Sequence, residues 1–165
     1  QTRKRIDNLL QACAALPREM QPRLIVVGDG PERAVFENLA REIYPQTEFP
    51  GALHGEDLAA YFRIADLFVL PGTGGLAVQQ AMSYGLPVIV AQGDGTQDDL
   101  VRPGNGWTIP PDDLPALQAN LRKALEDVPA LRAKGAESYR IVAQEINLDR
   151  MVAVFLQAAN AVLPE

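Results

Sequence analysis

Two hydrophobic patterns alternate along the chain. Ile6, Leu9, Leu10, Cys13 and Leu16 recur at helical spacing, which predicts an amphipathic first helix with Pro17 and Pro22 bracketing its exit. Leu24-Ile25-Val26-Val27 is a short β-branched run without alternation, the form of a strand buried on both faces. It leads into the turn Gly28-Asp29-Gly30-Pro31, with Pro31 at the first position of a second helix that carries Val35, Phe36, Leu39 and Ala40 on one side. Thr47-Glu48-Phe49 reads as a short strand closed by Pro50-Gly51. Glu56 to Ile64 reads as a helix with Leu58, Tyr61 and Phe62 inward. Leu67-Phe68-Val69-Leu70 is a second buried strand, ended by Pro71-Gly72-Thr73-Gly74-Gly75. A helix from Leu76 to Tyr84 follows, and Gly85 suits its left-handed cap. Pro87-Val88-Ile89-Val90 is the third strong strand. After a polar loop from Gln92 to Asn105, Trp107-Thr108-Ile109 forms a last short strand. Helices at Leu114–Glu126, Ala130–Ala143 and Asp149–Leu163 finish the chain.

Strands that alternate with helices imply right-handed βαβ crossovers and a mainly parallel sheet covered on both faces. The fold class is therefore α/β, a doubly wound sheet with C-terminal helices, as one domain over residues 1–165. Ligands of such sheets bind at the carboxyl ends of the strands. That rule directs attention to the loops Gly28–Pro31, Pro71–Gly75 and Gln92–Asn105.

Composition narrows the chemistry. Apolar residues make up 47% of the chain and charged residues 22%, ordinary for a globular domain with a continuous core. The net charge of −6 opposes nucleic-acid binding, which needs a basic field. No apolar run approaches the roughly 20 residues that span a bilayer. Gln1 to Arg5 has no signal-peptide form, so the expectation is a cytoplasmic domain excised from a larger protein and not itself inserted in a membrane. The single cysteine, Cys13, lies in an apolar run and reads as a buried, inert thiol, so no thiolate cluster is expected. The single histidine, His54, excludes a multi-histidine metal site.

Pro71-Gly72-Thr73-Gly74-Gly75-Leu76 lies between a buried strand and a helix start. Glycines let an anion approach the backbone there, and free amides with the helix dipole favour it. The same glycines also serve a tight turn that needs positive φ. The sequence is neither a Walker loop nor a dinucleotide fingerprint. Gly28-Asp29-Gly30-Pro31 is a second turn of this kind, with structure as the simpler role. Asp94, Asp98 and Asp99 could in principle hold a divalent ion. Carboxylates in such loops are usually solvated, and Thr96 reads as the N-cap of a short helical turn with Asp98 and Asp99 near its amides. The residues alone lead to a phosphate-containing ligand at the strand ends and do not choose among a sugar nucleotide, a flavin and simple phosphate.

The order of these segments resembles the C-terminal, donor-binding domain of the retaining glycosyltransferases built from two Rossmann-like domains (the GT-B architecture), the group that includes glycogen synthases. The likeness runs through Lys4-Arg5-Ile6-Asp7, Leu24 to Pro31, Phe49-Pro50-Gly51 and Leu58 to Pro71. It is most specific at Gly74-Gly75-Leu76-Ala77-Val78-Gln79-Gln80-Ala81-Met82-Ser83-Tyr84-Gly85-Leu86-Pro87-Val88-Ile89 and continues through Asn105-Gly106 to the terminal helices. The resemblance implies a nucleoside diphosphate sugar as substrate, with no metal and no further cofactor. It also implies a separate N-terminal acceptor-binding domain as partner, without which this part does not turn over. It places Lys4 on the donor diphosphate, together with the amides of Gly75 and Leu76, and gives donor contacts to Gly28, Gly30, Gly72, Thr73, Gly74 and Gln80. The family's arginine and the strand before it would precede Gln1, which implies a sheet short of one central strand. Catalytic groups are expected from the other domain, so none is assigned here.

Two positions depart from the family pattern, which has two glutamates separated by seven residues around the glycine turn. Here they read Gly72 and Gln80. Gln80 keeps hydrogen-bonding capacity toward a ribose but not a carboxylate's charge, and Gly72 offers the sugar no side chain. His54 reads as a surface-loop residue, not a catalytic one. A sugar-nucleotide epimerase shares the architecture but needs acid/base side chains in the cleft, and the Gly72–Gln80 stretch carries none. A non-catalytic relative that keeps the fold is the third reading. In all three, the face that meets the other domain is expected to be apolar and, when left uncovered, able to self-associate.

Overall fold

The computed structural model describes residues 4–93 and 95–162 and, at Thr96, Asp98 and Val162, the backbone alone. The elements run α1 (Ile6–Ala14), a 3-10 turn at Arg18–Met20, β1 (Ile25–Val27), α2 (Arg33–Ile43), β2 (Glu48–Gly51), α3 (Gly55–Ile64) and β3 (Phe68–Leu70). They continue with α4 (Leu76–Ser83), β4 (Val88–Ala91), α5 (Thr96–Leu100), β5 (Gly106–Ile109), α6 (Leu114–Glu126), α7 (Val128–Gln144) and α8 (Leu148–Val162). The described strands pair only in parallel: β1 with β2, and β3–β4–β5 in that order. No strand bond joins the pair to the triplet among the described residues, so the sheet is divided into two pieces.

Alternation along β4 organises the interior. Val88 and Val90 join one buried cluster with Phe62, Val78, Ala81, Met82 and Ile141, from α3, α4 and α7. Ile89 and Ala91 join the other, with Leu10 and Cys13 of α1, Ala40 of α2 and Leu117 and Leu121 of α6. Successive side chains of a strand point to opposite faces, so a four-residue strand buried throughout must be covered on both sides. This is the doubly wound arrangement the pattern predicts. The other two apolar runs are less enclosed than expected. Every residue of β1 is only half-buried, because β1 pairs with β2 alone, and β3 is fully buried only at Leu70.

Local chemistry sets the helix ends. Asp113 Oδ1 accepts from Ala116 N at 2.8 Å and Asp127 Oδ1 from Ala130 N at 2.9 Å, and each helix they cap has a proline in its first turn. Helix α4 ends in a Schellman motif: Gly85 N donates to Met82 O at 2.9 Å and Leu86 N to Ala81 O at 3.2 Å, with Gly85 at φ 73°. Pro31 does not open α2. It lies in the preceding turn, and Glu32 holds the N-cap position. Val35 is exposed, so the inner face of α2 is Phe36, Leu39, Ala40 and Ile43. The cap of α5 is Gly95, at φ 91°, and Thr96 is the first helical residue, since only glycine takes that backbone angle without strain. Leu163, the expected end of the last helix, lies outside the described residues.

Helix α8 differs from the rest. Leu148, Met151, Phe155 and Leu156 are among its exposed apolar side chains, and Phe155 is 76% exposed. No described helix is long and apolar enough to cross a membrane.

Two predictions follow from the packing. A methyl group on Gly135 of α7 would lie 2.1 Å from Gly85 O, the cap of α4. Gly135→Ala should therefore cost about 1–3 kcal/mol of stability and lower the thermal midpoint by roughly 3–10 °C; an unchanged midpoint by calorimetry would contradict this contact. Burial pushes the Cys13 thiol up to about 12. At pH 8 it should resist iodoacetamide in the folded protein and react readily in denaturant, as intact-mass measurement would show.

Candidate functional site

The glycine turn after β3 is where the chain's chemistry concentrates. Leu70 pairs with Val90 in register, so Pro71-Gly72-Thr73-Gly74-Gly75 leaves the sheet at the carboxyl end of β3 beside the exit of β4. The first backbone bonds into α4 are Val78 N and Gln79 N to Gly75 O, at 3.0 and 3.1 Å. Among the described residues, the amides of Gly75, Leu76 and Ala77 therefore have no carbonyl partner, as a helix start requires. They also carry the positive end of the α4 dipole.

Lys4 stands over this turn. Its Nζ donates to Thr73 O at 2.6 Å, across 69 residues of sequence. A Cβ on Gly74 would come within 2.5 Å of the same nitrogen, and Gly74 has φ 149°, which side chains rarely adopt. Gly74 is thus required by its backbone angle, and the ammonium is seated directly against it. The sequence reading placed Lys4 and the turn at one site, and the structure brings them into contact.

The backbone that aims Lys4 was not foreseen. Arg5 is left-handed, at φ 53°, and so is Asp112 in the turn before α6, at φ 59°. Arg5 Nη1 lies 2.8 Å from Asp112 Oδ1, and Arg5 Nη2 donates to Asn8 Oδ1 at 3.1 Å. A non-glycine residue in this region costs roughly 1–2 kcal/mol. The ion pair and the bond to buried Asn8 help to hold the bend that separates Lys4 from α1.

Gln97 is the second residue the sequence did not single out. It is 1% exposed, and its Nε2 donates to Gly74 O at 3.2 Å. A glutamine in a polar loop gives no periodic signal, so only the fold reveals its burial.

Other expected contacts are arranged differently. Gly28, at φ 139°, gives its N–H to Gly51 O at 2.8 Å, and Gly30 gives its own to Asp29 Oδ1 at 2.7 Å. Arg33 ties the same corner to β2 through Phe49 O at 2.9 Å. The Gly28 and Arg33 bonds tie the turn after β1 and the start of α2 to β2, the Gly30 bond stays within the turn, and none reaches the Pro71–Leu76 turn among the described residues. Gly72 is buried, Thr73 exposed, and Leu76 stands 85% exposed at the start of α4. Gln80 is exposed, one turn of α4 further on. His54 is an exposed residue ahead of α3 that makes no side-chain cap bond.

Of the three loop aspartates, Asp94 lies outside the described residues, as does the side chain of Asp98. Asp99 is exposed and lines an open depression of about 550 Å³ with Arg102, Gln144, Glu145, Ile146 and Arg150. No residue of the glycine turn lines it. Its wall is an ion network in which Arg102 and Arg140 both hold Glu145, at 2.7 and 2.8 Å. The two arginines keep the Glu145 carboxyl below its ordinary range.

Parallel strands, helices on both faces and a glycine turn feeding a helix start define an α/β domain of the Rossmann-like type. The chain belongs to the glycosyl transferases group 1 family, whose model matches residues 1–140. It is 36% identical over 103 residues to a GDP-mannose-dependent alpha-mannosyltransferase of Corynebacterium glutamicum, covering 61% of this chain and 24% of that protein. Among solved structures it is similar to sucrose-phosphate synthase from Thermosynechococcus elongatus, with 29% identity and a TM-score of 0.81, over 98% of this chain and 44% of that one. The fold is also that of Anabaena HepE, solved in complex with UDP, with a TM-score of 0.84 and 19% identity over 98% of this chain and 46% of that one. The chain thus spans about a quarter of the mannosyltransferase and under half of either solved structure.

The turn itself is open to test. Moving the lysine relieves the close approach at Gly74, but nothing relieves the backbone angle. Gly74→Ala should destabilise the protein by about 1–3 kcal/mol in urea unfolding; a variant as stable as the parent would refute that backbone constraint.

Proposed function

We propose that this chain is the donor-binding domain of a glycosyltransferase that moves a sugar from a nucleoside diphosphate sugar to an acceptor with retention of configuration. The observation that carries the reading is the Lys4 ammonium seated on the glycine turn, 2.6 Å from Thr73 O, beside amides at the start of α4 that have no carbonyl partner among the described residues. A cation, aligned amides and a helix dipole meeting at the carboxyl end of a parallel strand suit a diphosphate. The UDP in the Anabaena relative's structure supports the same class of ligand.

In this role the diphosphate is the leaving group. As the glycosidic bond to it breaks, charge builds on its oxygens. Amides of Gly75 and Leu76 and the Lys4 ammonium then stabilise that charge better than they stabilise the bound donor. No metal is needed for this, and no cofactor beyond the donor. Gln80, one turn along α4, can donate to and accept from the ribose hydroxyls through its amide. Gly28 and Gly30 leave the neighbouring turn without side chains, and Gly72 and Thr73 form the wall on the sugar side. The acceptor and the groups that assist its attack belong to a second, acceptor-binding domain. The exposed apolar side chains of α8 are the surface against which that domain packs in this proposal. The protein works in the cytoplasm, where nucleotide sugars are supplied.

Thermal unfolding with UDP, GDP, ADP and phosphate titrated separately tests this. A ligand at 100 times its dissociation constant adds about 2.7 kcal/mol, which raises the midpoint by roughly 5–10 °C for a domain of this size. The expected result is a rise with one nucleoside diphosphate that Lys4→Ala abolishes and Gln80→Ala reduces. No rise with any of them in the full-length protein would refute donor binding and favour a non-catalytic relative, the reading consistent with Gly72 and Gln80 standing where the family has glutamates.

A further inference from the structure

Four polar side chains are shut away from solvent among the described residues: Asn8, Gln97, Asn105 and Ser138. Two have local duties: Asn8 accepts from Arg5, and Asn105 closes its own loop through Leu100 O and Arg102 N. Ser138 of α7 donates to Asn105 O, 33 residues away. Gln97 is different, because one of its bonds reaches the glycine turn.

The bond has a directional consequence. Gln97 Nε2 donates to Gly74 O at 3.2 Å, so this carbonyl is drawn toward a side chain with 1% exposure. No peptide bond in the described chain is cis. In a trans peptide the C=O and the next N–H point in opposite directions. Turning the Gly74 carbonyl inward therefore turns the Gly75 N–H outward, toward the mouth of the turn. Gly93 makes room for the amide that does this. A Cβ there would lie 3.1 Å from Gln97 Oε1 and 3.2 Å from Nε2, and Gly93 needs no left-handed angle. The glycine serves the glutamine and not the backbone.

We propose that Gln97, with Gly93 as its seat, is a positioning residue for the diphosphate of the donor. It fixes the Gly74–Gly75 peptide so that the Gly75 amide faces the ligand before the ligand arrives. The proposal rests on the reading of this chain as a donor-binding domain. It links the loop after β4 to the loop after β3, so the amide donors are ordered in advance, and a ligand need not supply that ordering itself.

The test uses the full-length protein, with UDP, GDP and ADP by calorimetric titration and uridine, guanosine and adenosine by ligand-observed NMR. Gln97→Met keeps the length of the side chain and removes the donor; Gly93→Ala leaves the donor and displaces it. Each should weaken binding of the preferred diphosphate about three- to tenfold, the size of one hydrogen bond, and leave its nucleoside unchanged. Unaltered diphosphate affinity in both variants overturns the proposal. So does an equal loss for diphosphate and nucleoside, which is what general loosening of the fold produces. If Gln97→Met fails to fold by circular dichroism, Gly93→Ala decides alone. A wild-type protein that binds none of UDP, GDP and ADP refutes the donor-binding reading itself, and this proposal with it.

Discussion

Strand β4 is the constraint from which the rest of the arrangement follows. Its four residues divide evenly between two apolar clusters, Val88 and Val90 toward α3, α4 and α7, Ile89 and Ala91 toward α1, α2 and α6. Burying one such side chain is worth about 1.5–3 kcal/mol. A slip of one residue would send each pair to the wrong layer. The register with β3 is thereby fixed at Phe68↔Val88 through Leu70↔Val90, and the register with β5 at Val88↔Gly106 through Ala91↔Ile109. Gly106 is part of the same lock, since a Cβ there would lie 2.2 Å from Val88 O. Because β3 ends opposite Val90, one residue short of the end of β4, the glycine turn and the loop holding Gln97 emerge side by side. Their contact is a product of strand register and not of their own sequences.

Lys4 depends on a different part of the fold. It precedes α1, whose Leu10 and Cys13 are anchored in the cluster beneath the opposite face of β4. Getting from that anchor to the glycine turn takes a bend at Arg5 into a conformation that favours glycine. Asp112, in a similar conformation after β5, holds that bend by an ion pair. Strained backbone persists where the surroundings over-determine it, and here the bend lies next to the one lysine that touches the glycine turn. Both strained residues flank the carboxyl ends of the strands, where ligands of such sheets bind.

The sequence carried most of this architecture because most of it is local. The runs Leu114–Glu126 and Ala130–Ala143 announce α6 and α7, and Gly85 announces the end of α4 before any contact is known. The fully buried β4 is legible as Val88-Ile89-Val90, whereas Ile25-Val26-Val27 looks the same and is half-buried. The difference lies in how many neighbours each strand has, which no window of residues contains. Val35 followed the helical period and still faces solvent, because α2 covers too narrow a stripe to need it. At the site, a lysine and a glycine turn were visible, but their meeting was supplied by resemblance and not by spacing. Gln97 gave no signal, since an amide among Gly, Thr and Asp reads as solvated until the fold closes over it.

The occupied state of Lys4 bears on how a donor can be taken up by a chain of net charge −6. An acidic domain gives a diphosphate no long-range attraction, so capture must rest on groups close to the site. Lys4 is held before any ligand arrives, by a carbonyl 2.6 Å from its ammonium. That bond has a charged donor and a neutral acceptor, and a phosphate oxygen would add the attraction of opposite charges. In the proposed role, exchanging Thr73 O for a phosphate oxygen replaces a neutral partner by an anionic one. Thr73 O is then released at the edge of the turn, where Thr73 is exposed to water that can satisfy it. Gly74 O is held by Gln97, so in the proposed role one carbonyl of the turn can trade partners while its neighbour is held. On that reading the turn offers an exchangeable cation beside amides fixed in advance, and a diphosphate that gains charge as it leaves needs both.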